Sequence, residues 1–451
     1  MYKAPQKEPQ MRMFGTSLDY MLSGQHPLYK LANLINWDLF ETEFSKHYSQ
    51  DTGRPCKPIR MMSGLLILKH LRNLSDENVV LQFSENAYYQ YFCGCEDFTP
   101  DFPCNATELV HFRKRIGEKG ISLILQESIR VNKESTKPRD NDDDKPHFID
   151  STVQEKNVTY PTDTKLHKKI ISNCKKLSVE LGFVLRQSYT RVLKDHYRNQ
   201  RFRNHPKNKK KAIKADKKIR TIAGRLVREL ERNLSKLGNT DYNELLELYK
   251  KILEQKRGSK NKIYSIHEPD VLCISKGKEH KKYEFGNKVS IIRSFNGLIV
   301  GALSFRNEYD GHTIDEALKQ VKKLTGKTIK TLAGDRGYRG KKMSGETEII
   351  IPASPNKKDS YFQKKKKHNL FCKRAGIEPT IGHLKSDYRL GRNFYKGLFG
   401  DNINVMLAAA AYNFKRMMNI LLVQILKLKN NLIKFILQEN FIRLNYSNNP
   451  F

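Results

Sequence analysis

The chain has 451 residues, too many for one ordinary domain. Hydrophobic residues make up 38% of it and aromatics 10%, which excludes wholesale disorder. Its 83 Lys+Arg against 48 Asp+Glu give a formal net charge of +35, which argues against a chain without a polyanionic partner. The first 135 residues read as helical, with a strong apolar stripe from Ile59 to Leu71. Asp76 precedes a second apolar stretch, Val79 through Phe83. Asn105 with Glu108 three residues later has the form of a capping box, opening a third helix that runs to Ile116. A helical bundle is expected, with Trp37 in its core. Residues 134–146 are polar, with two prolines and no apolar residue, and read as a linker. Asp142, Asp143 and Asp144 within it read as a solvated acidic loop.

His147 to Val153 reads as a strand that carries Asp150. The next segment, about 165–260, is helical and very basic. Between Arg191 and Arg220 there are thirteen Lys/Arg against Asp195 and Asp216 alone, with Tyr197 and Phe202 interleaved. That asymmetry points to phosphate contact by residues such as Arg201, Arg203, Lys209, Lys210 and Lys211. His267-Glu268-Pro269-Asp270 reads as a turn. From Tyr283 the period changes to two. Tyr283 to Ser294 and Gly297 to Phe305 are strands joined at Asn296-Gly297, a strong hairpin signal. A helix is expected over Thr313 to Leu324, with His312 at its start, then a strand over Thr328 to Ala333 and another over Glu348 to Pro352. A helix carrying Glu378 follows the lysine run at 364–367, and a long helix from Asn402 to about Asn445 ends the order. Strands alternating with helices after a hairpin imply an α/β fold with a mixed sheet.

Seven cysteines fall at 56, 93, 95, 104, 174, 273 and 372. The odd number, with a polar stretch from Met1 to Gln10, leads to an expectation of free thiols in a reducing cytoplasm. Cys93, Cys95 and Cys104 lie close together, but Cys-x-Cys is not the usual zinc spacing and no fourth ligand is evident. No run approaches the ~20 apolar residues of a membrane span.

Three acidic residues stand out by position. Asp150 lies at or near the end of the first strand of the expected sheet, Asp335 follows a later strand between Gly334 and Gly337, and Glu378 lies in or at the start of a late helix. Hard oxygen ligands suit Mg²⁺ or Mn²⁺, and two such ions can activate an oxygen nucleophile and stabilise a leaving oxygen. Phe371, Arg374, Glu378 and Lys385 would share one face of a continuous helix. Gly376 and Pro379 are poor residues for a helix interior, so a kink or a helix start is expected near Glu378.

Arg374-x3-Glu378-x6-Lys385 resembles the Tyr-(2)-Arg-(3)-Glu-(6)-Lys signature of bacterial insertion-sequence transposases of the DDE type, with Phe371 at the Tyr position. Phe148 to Glu155 resembles that family's first-Asp strand, and Ala333-Gly334-Asp335-Arg336-Gly337-Tyr338 its second-Asp motif. Residues 54–117 look like the N-terminal domain of the branch named for insertion sequence five. The resemblance implies an RNase H-like mixed sheet with a helical insertion, preceded by an all-α N-terminal domain and followed by a helical C-terminal tail. The implied organisation is 1–133 DNA-binding, 134–146 linker, 147–400 catalytic with the insertion at about 165–260, and 401–451 tail. It further implies Mg²⁺, replaceable by Mn²⁺, on Asp150, Asp335 and Glu378, with Arg374, Lys385 and Arg336 toward DNA. Water would cut at the element end, and the freed 3′-OH would attack target DNA. The implied partners are double-stranded DNA, as terminal inverted repeats and target, and a second copy of the chain in a nucleoid-associated, cytoplasmic complex. Two other readings stand beside this one: a catalytically inactive DNA-binding descendant, or an RNase H-like nuclease that cuts without joining.

Overall fold

A computed structural model describes residues 1–2, 17–49, 51–135, 145–256, 258–275, 281–306, 308–352 and 359–447, with side chains in the last segment to 431. Most of the expected linker, with Asp142, Asp143 and Asp144, lies outside the described residues. The N-terminal segment forms α1 Leu18–Met21, α2 Pro27–Leu34, α3 Trp37–Ser45, α4 Ile59–Leu71, α5 Asp76–Glu85, α6 Ala87–Phe92 and α7 Ala106–Ser135. Side chains of Ser17, His26, Asn36, Ser75 and Asn86 each accept a first-turn N–H, which fixes where five of these helices begin. The Asn105 N–H donates to Glu108 Oε2 at 2.8 Å, the reciprocal arm of a capping box. Helix α7 breaks at Gly117 (φ 63°, ψ −169°), one residue past the end expected from the sequence.

The remainder runs β1 His147–Lys156, α8 Asp163–Glu180, α9 Thr190–Gln200, α10 Pro206–Lys236, α11 Asn243–Glu254, β2 Leu272–Ser275, β3 Tyr283–Arg293 and β4 Ile299–Phe305. Then come α12 Ile314–Thr325, β5 Thr331–Ala333, β6 Met343–Ser344, β7 Thr347–Ile350, α13 Tyr361–Ala375, α14 Ile377–Asp387, β8 Arg392–Asn393 and α15 Gly397–Ser447. The chain divides into two compact units, one of Met1–Glu155 with Lys288–Phe451, the other Lys156–Asn287.

In the first unit the strand order is β3-β1-β5-β7-β6, with β4 on β3 and β8 on β1. β1 pairs parallel with β5 and β5 with β7, while β3–β4 and β6–β7 are antiparallel, so the sheet is mixed. The hairpin at Asn296-Gly297 forms as expected, and Gly297 takes φ 89°, which a Cβ would disfavour. Helix α15 packs on α7, β4, α4 and α2 and buries Val405 to Ala411. Buried Asn413 ties three elements together. Its Nδ2 donates to Ile299 O at 2.9 Å and to Ser128 Oγ at 3.1 Å, and its Oδ1 accepts from Ile299 N at 3.0 Å. The N-terminal helices, the sheet and α15 thus share one core. Trp37 packs edge-on against Phe92 and Phe40 within it.

The second unit has its own core. Ile219, Leu226, Leu230 and Leu234 of α10 repeat at helical spacing and pack with Ile170 of α8 and Tyr249 of α11. The opposite face and the N-terminal end of α10 carry the lysines. β2 pairs antiparallel with the start of β3, Leu272 opposite Gly286. His267-Glu268-Pro269-Asp270 forms a bend and turn in which Val271 N–H donates to Glu268 O at 3.2 Å, and the Glu268 carboxylate lies 3.5 Å from Lys156. Among the described residues no helix is long and apolar enough to cross a membrane.

Candidate active site

The parallel register of β1 and β5 sets the first two carboxylates. Phe148 is opposite Ala333, and Asp150 and Asp335 each follow their partnered residue by two positions. Because strand side chains alternate, Asp150 and Asp335 emerge on the same face. Asp150 lies within β1, which runs on to Lys156 rather than ending near the carboxylate as expected, and Asp335 follows the end of β5 by two residues. Backbone N–H groups hold one oxygen of each. Ser151 N donates to Asp150 Oδ1 at 2.7 Å, and Gly337 N donates to Asp335 Oδ1 at 2.8 Å. A Cβ at Gly337 would stand 2.9 Å from Asp335 Oδ1, so a larger residue there would push this carboxylate oxygen aside.

Glu378 comes from the first turn of α14. The expected kink is present, because α13 ends and α14 begins at Gly376. A Cβ on Gly376 would meet Arg293 Nη1 at 3.1 Å and Lys373 O at 3.2 Å, so this joint packs tightly against β3. Arg374 lies between the acids, Nη1 3.7 Å from Asp150 Oδ2 and Nη2 3.6 Å from Glu378 Oε1. Its Nη1 is buried without a hydrogen-bond partner. The Asp150 carboxyl is pushed up to about 6, first by burial; the Ser151 N–H opposes this, Asp335 adds to it, Arg374 opposes it and Glu378 adds to it. The three carboxylates therefore act on one another.

Sequence reasoning missed a fourth carboxylate beside them. Asp310 Oδ2 accepts from Ser151 Oγ at 2.8 Å, and Oδ1 accepts from Lys288 Nζ at 2.8 Å. Beneath lies the buried Tyr338, whose hydroxyl is pushed well up by burial, then by Asp310, Asp150 and Asp335. The signal was the segment Tyr309-Asp310-Gly311, where His312 drew notice instead. His312 is exposed, edge-on to the Tyr309 ring.

Other expected site residues fall in different places. Arg336 is exposed directly after Asp335, and Lys385 is half-buried at the end of α14. Arg201, Arg203, Lys209, Lys210 and Lys211 belong to the second unit and are exposed, Arg203 pairing with Asp216 at 3.0 Å. The cysteines are free thiols, Cys93 and Cys104 buried in the first unit's core.

The donor set fits a hard divalent cation in type and charge, since its groups are carboxylate oxygens that repel one another. Among the described residues no three His, Cys, Asp or Glu side chains stand close enough to share one ion, and the Glu378 side chain, 66% exposed, faces Arg374.

The family model described as "Transposase domain (DUF772)" matches residues 16–115, and the "Transposase DDE domain" model matches 265–414. An uncharacterised protein of Rhizobium meliloti, ORF8 in the nfe locus, is 36% identical over 182 residues, which is 40% of this chain and 87% of that protein. The chain belongs to the DDE transposase family. No solved structure matches it. The DDE match takes in Asp335, Glu378 and Asp310 of this transposase. Asp150 lies outside both matched segments and joins the set through the β1–β5 register. The mixed α/β sheet agrees with the family, and the family normally works with divalent metals.

Proposed function

We propose that this chain is the transposase of a bacterial insertion sequence, with an RNase H-like catalytic sheet on which Asp150, Asp335 and Glu378 act together. The observation that carries the reading is the placement of Asp150 on β1 and Asp335 just past the parallel β5, each two residues beyond the paired Phe148 and Ala333, with Arg374 bridging Asp150 to Glu378. Divalent Mg²⁺, or Mn²⁺ in its place, held by these three carboxylates would activate the attacking oxygen and stabilise the leaving one. The protein's own groups do the positioning. The Ser151 and Gly337 N–H groups fix one oxygen of each aspartate. Lys288 neutralises Asp310, and Asp310 in turn anchors Ser151. Arg374 Nη1, ion-paired with Asp150 but making no hydrogen bond, offers a donor to a phosphate oxygen. Lys385 and Arg336 flank the site as further phosphate contacts, and a second copy of the chain would hold the other element end.

The test is Mg²⁺-dependent cleavage and strand transfer on DNA carrying the ends that flank the gene. Wild type is expected to cut and join, while Glu378→Gln and Asp335→Asn lose cleavage and keep DNA binding. Cleavage without joining of pre-cut ends would identify a nuclease. Binding without cleavage by wild type would identify a catalytically silent descendant, and full activity of Asp335→Asn with Mg²⁺ would refute the site assignment.

A further inference from the structure

Within the unit 156–287, the start of α8, the α9–α10 corner and the segment before β2 enclose a cavity of about 380 Å³. Arg203, Lys217, Arg220 and Lys262 line it, against two carboxylates, Asp163 and Asp216. The carboxylates are already engaged. Asp216 accepts from Thr164 Oγ1 at 2.8 Å and pairs with Arg203 at 3.0 Å. Asp163 lies 2.9 Å from Lys262 and accepts from Gln255 Nε2 at 3.1 Å. Lys217 and Arg220 carry no ion pair among the described residues.

The wall also holds His167, 6% exposed, whose Nδ1 has no hydrogen-bond partner. A buried ring nitrogen left unmet is unfavourable unless a ligand completes it. Burial pushes the imidazole pKa down, so at neutral pH it adds a hydrogen-bonding group rather than a charge. The lining then has an excess of two positive charges. A phosphodiester inside a strand carries one negative charge, whereas a phosphomonoester carries nearly two at neutral pH. The space exceeds what a bare phosphate fills, and Tyr264 contributes an aromatic ring to the wall.

We infer that this cavity receives a nucleotide through a terminal 5′-phosphate, with the phosphate on Lys217 and Arg220 and the sugar and base toward Tyr264 and the two carboxylates. The ligand is either a free nucleoside monophosphate or the 5′-phosphorylated end of a DNA strand. Only the second source rests on the DNA-binding reading proposed above.

Full-length protein would be titrated by fluorescence anisotropy with labelled duplexes that differ only in a 5′-phosphate or 5′-hydroxyl end. Equilibrium dialysis with deoxyadenosine 5′-monophosphate runs alongside. Tighter binding of the phosphorylated end by about tenfold is expected, the scale of one charge-assisted contact. Arg220→Gln, a change at an exposed position, should erase the preference, so that it binds the 5′-phosphate and 5′-hydroxyl duplexes alike. Saturable binding of the monophosphate without an end preference, again lost in Arg220→Gln, assigns the cavity to free nucleotides. Neither an end preference nor monophosphate binding, or a preference that survives Arg220→Gln, overturns the inference. Absence of binding to both duplexes with monophosphate binding retained would instead count against the DNA reading alone.

Discussion

At Asp150 the fold places a carboxyl where burial and two neighbouring acids disfavour its charge, raising it from 3.8 to about 6. Between those values the native state holds a proton that the unfolded chain has released. The stability linked to that proton is fully present below about pH 4 and is lost as pH rises through about 6. Asp150→Asn removes the loss. In metal-free buffer the variant should exceed wild type at pH 7 by on the order of 2 kcal/mol in urea unfolding, and the gap should close near pH 4. Equal midpoints at pH 7 would mean the site stores no such electrostatic strain. Asp335 and Glu378 were legible as candidates because they lie just past a strand and at a helix start that local patterning defines, and Asp150 because it is the acid on the first strand, although β1 continues beyond it to Lys156. Asp310 was not, because its partners Ser151 and Lys288 are 159 and 22 residues away and meet it only through the sheet. The role of Gly376 was only half visible. Its helix-breaking character marks the kink, but the approach of Arg293 depends on the packing of β3.

Among elements, α7 joins local and tertiary control. Its first stretch, Ala106 to Ile116, was readable from the Asn105–Glu108 box. The second is held by burial of Ile121, Ile124, Leu125 and Ile129 in the shared core, and the break between them rests on Gly117. Beyond its chain neighbours and the adjoining turns of its own helix backbone, no described atom lies within 4 Å of a Cβ built there, so Gly117→Ala would act through the backbone conformation. A φ of 63° with ψ near 180° is a region that glycine almost alone occupies. The substitution should lower unfolding stability by about 1–3 kcal/mol. A change within measurement error would indicate that the helix straightens through 117 at no cost. The hairpin, β1 and α4 followed their sequence patterns closely. β6 and β8, two residues each, did not register, since so short a strand is defined by its partner and not by its own residues.

For the molecule as a whole, the charge of +35 concerns partners more than fold. The exposed cluster at Arg201, Arg203 and Lys209 to Lys211 stands on a unit with its own core. Neutralising Lys209, Lys210 and Lys211 together should weaken duplex binding and flatten the plot of log affinity against log salt by about 2.7 if all three meet phosphates. An unchanged slope would remove this segment from the DNA contact. The helical insertion between strands was evident from the change of period. The sharing of one core by the N-terminal helices, the sheet and the last helix was not, because each segment taken alone shows an amphipathic pattern that several partners could satisfy.

That shared core has a consequence for synthesis on the ribosome. Helix α15, which covers α7, β4, α4 and α2, is translated after the insertion, while α7 and β1 precede it. The surfaces it covers would wait on the order of ten seconds or more for their partner at ordinary elongation rates. The unit 156–287, whose core among the described residues is built from its own side chains, can close in the meantime. Nascent chains arrested before α15 emerges should therefore carry a protease-resistant insertion flanked by protease-sensitive helices and strands.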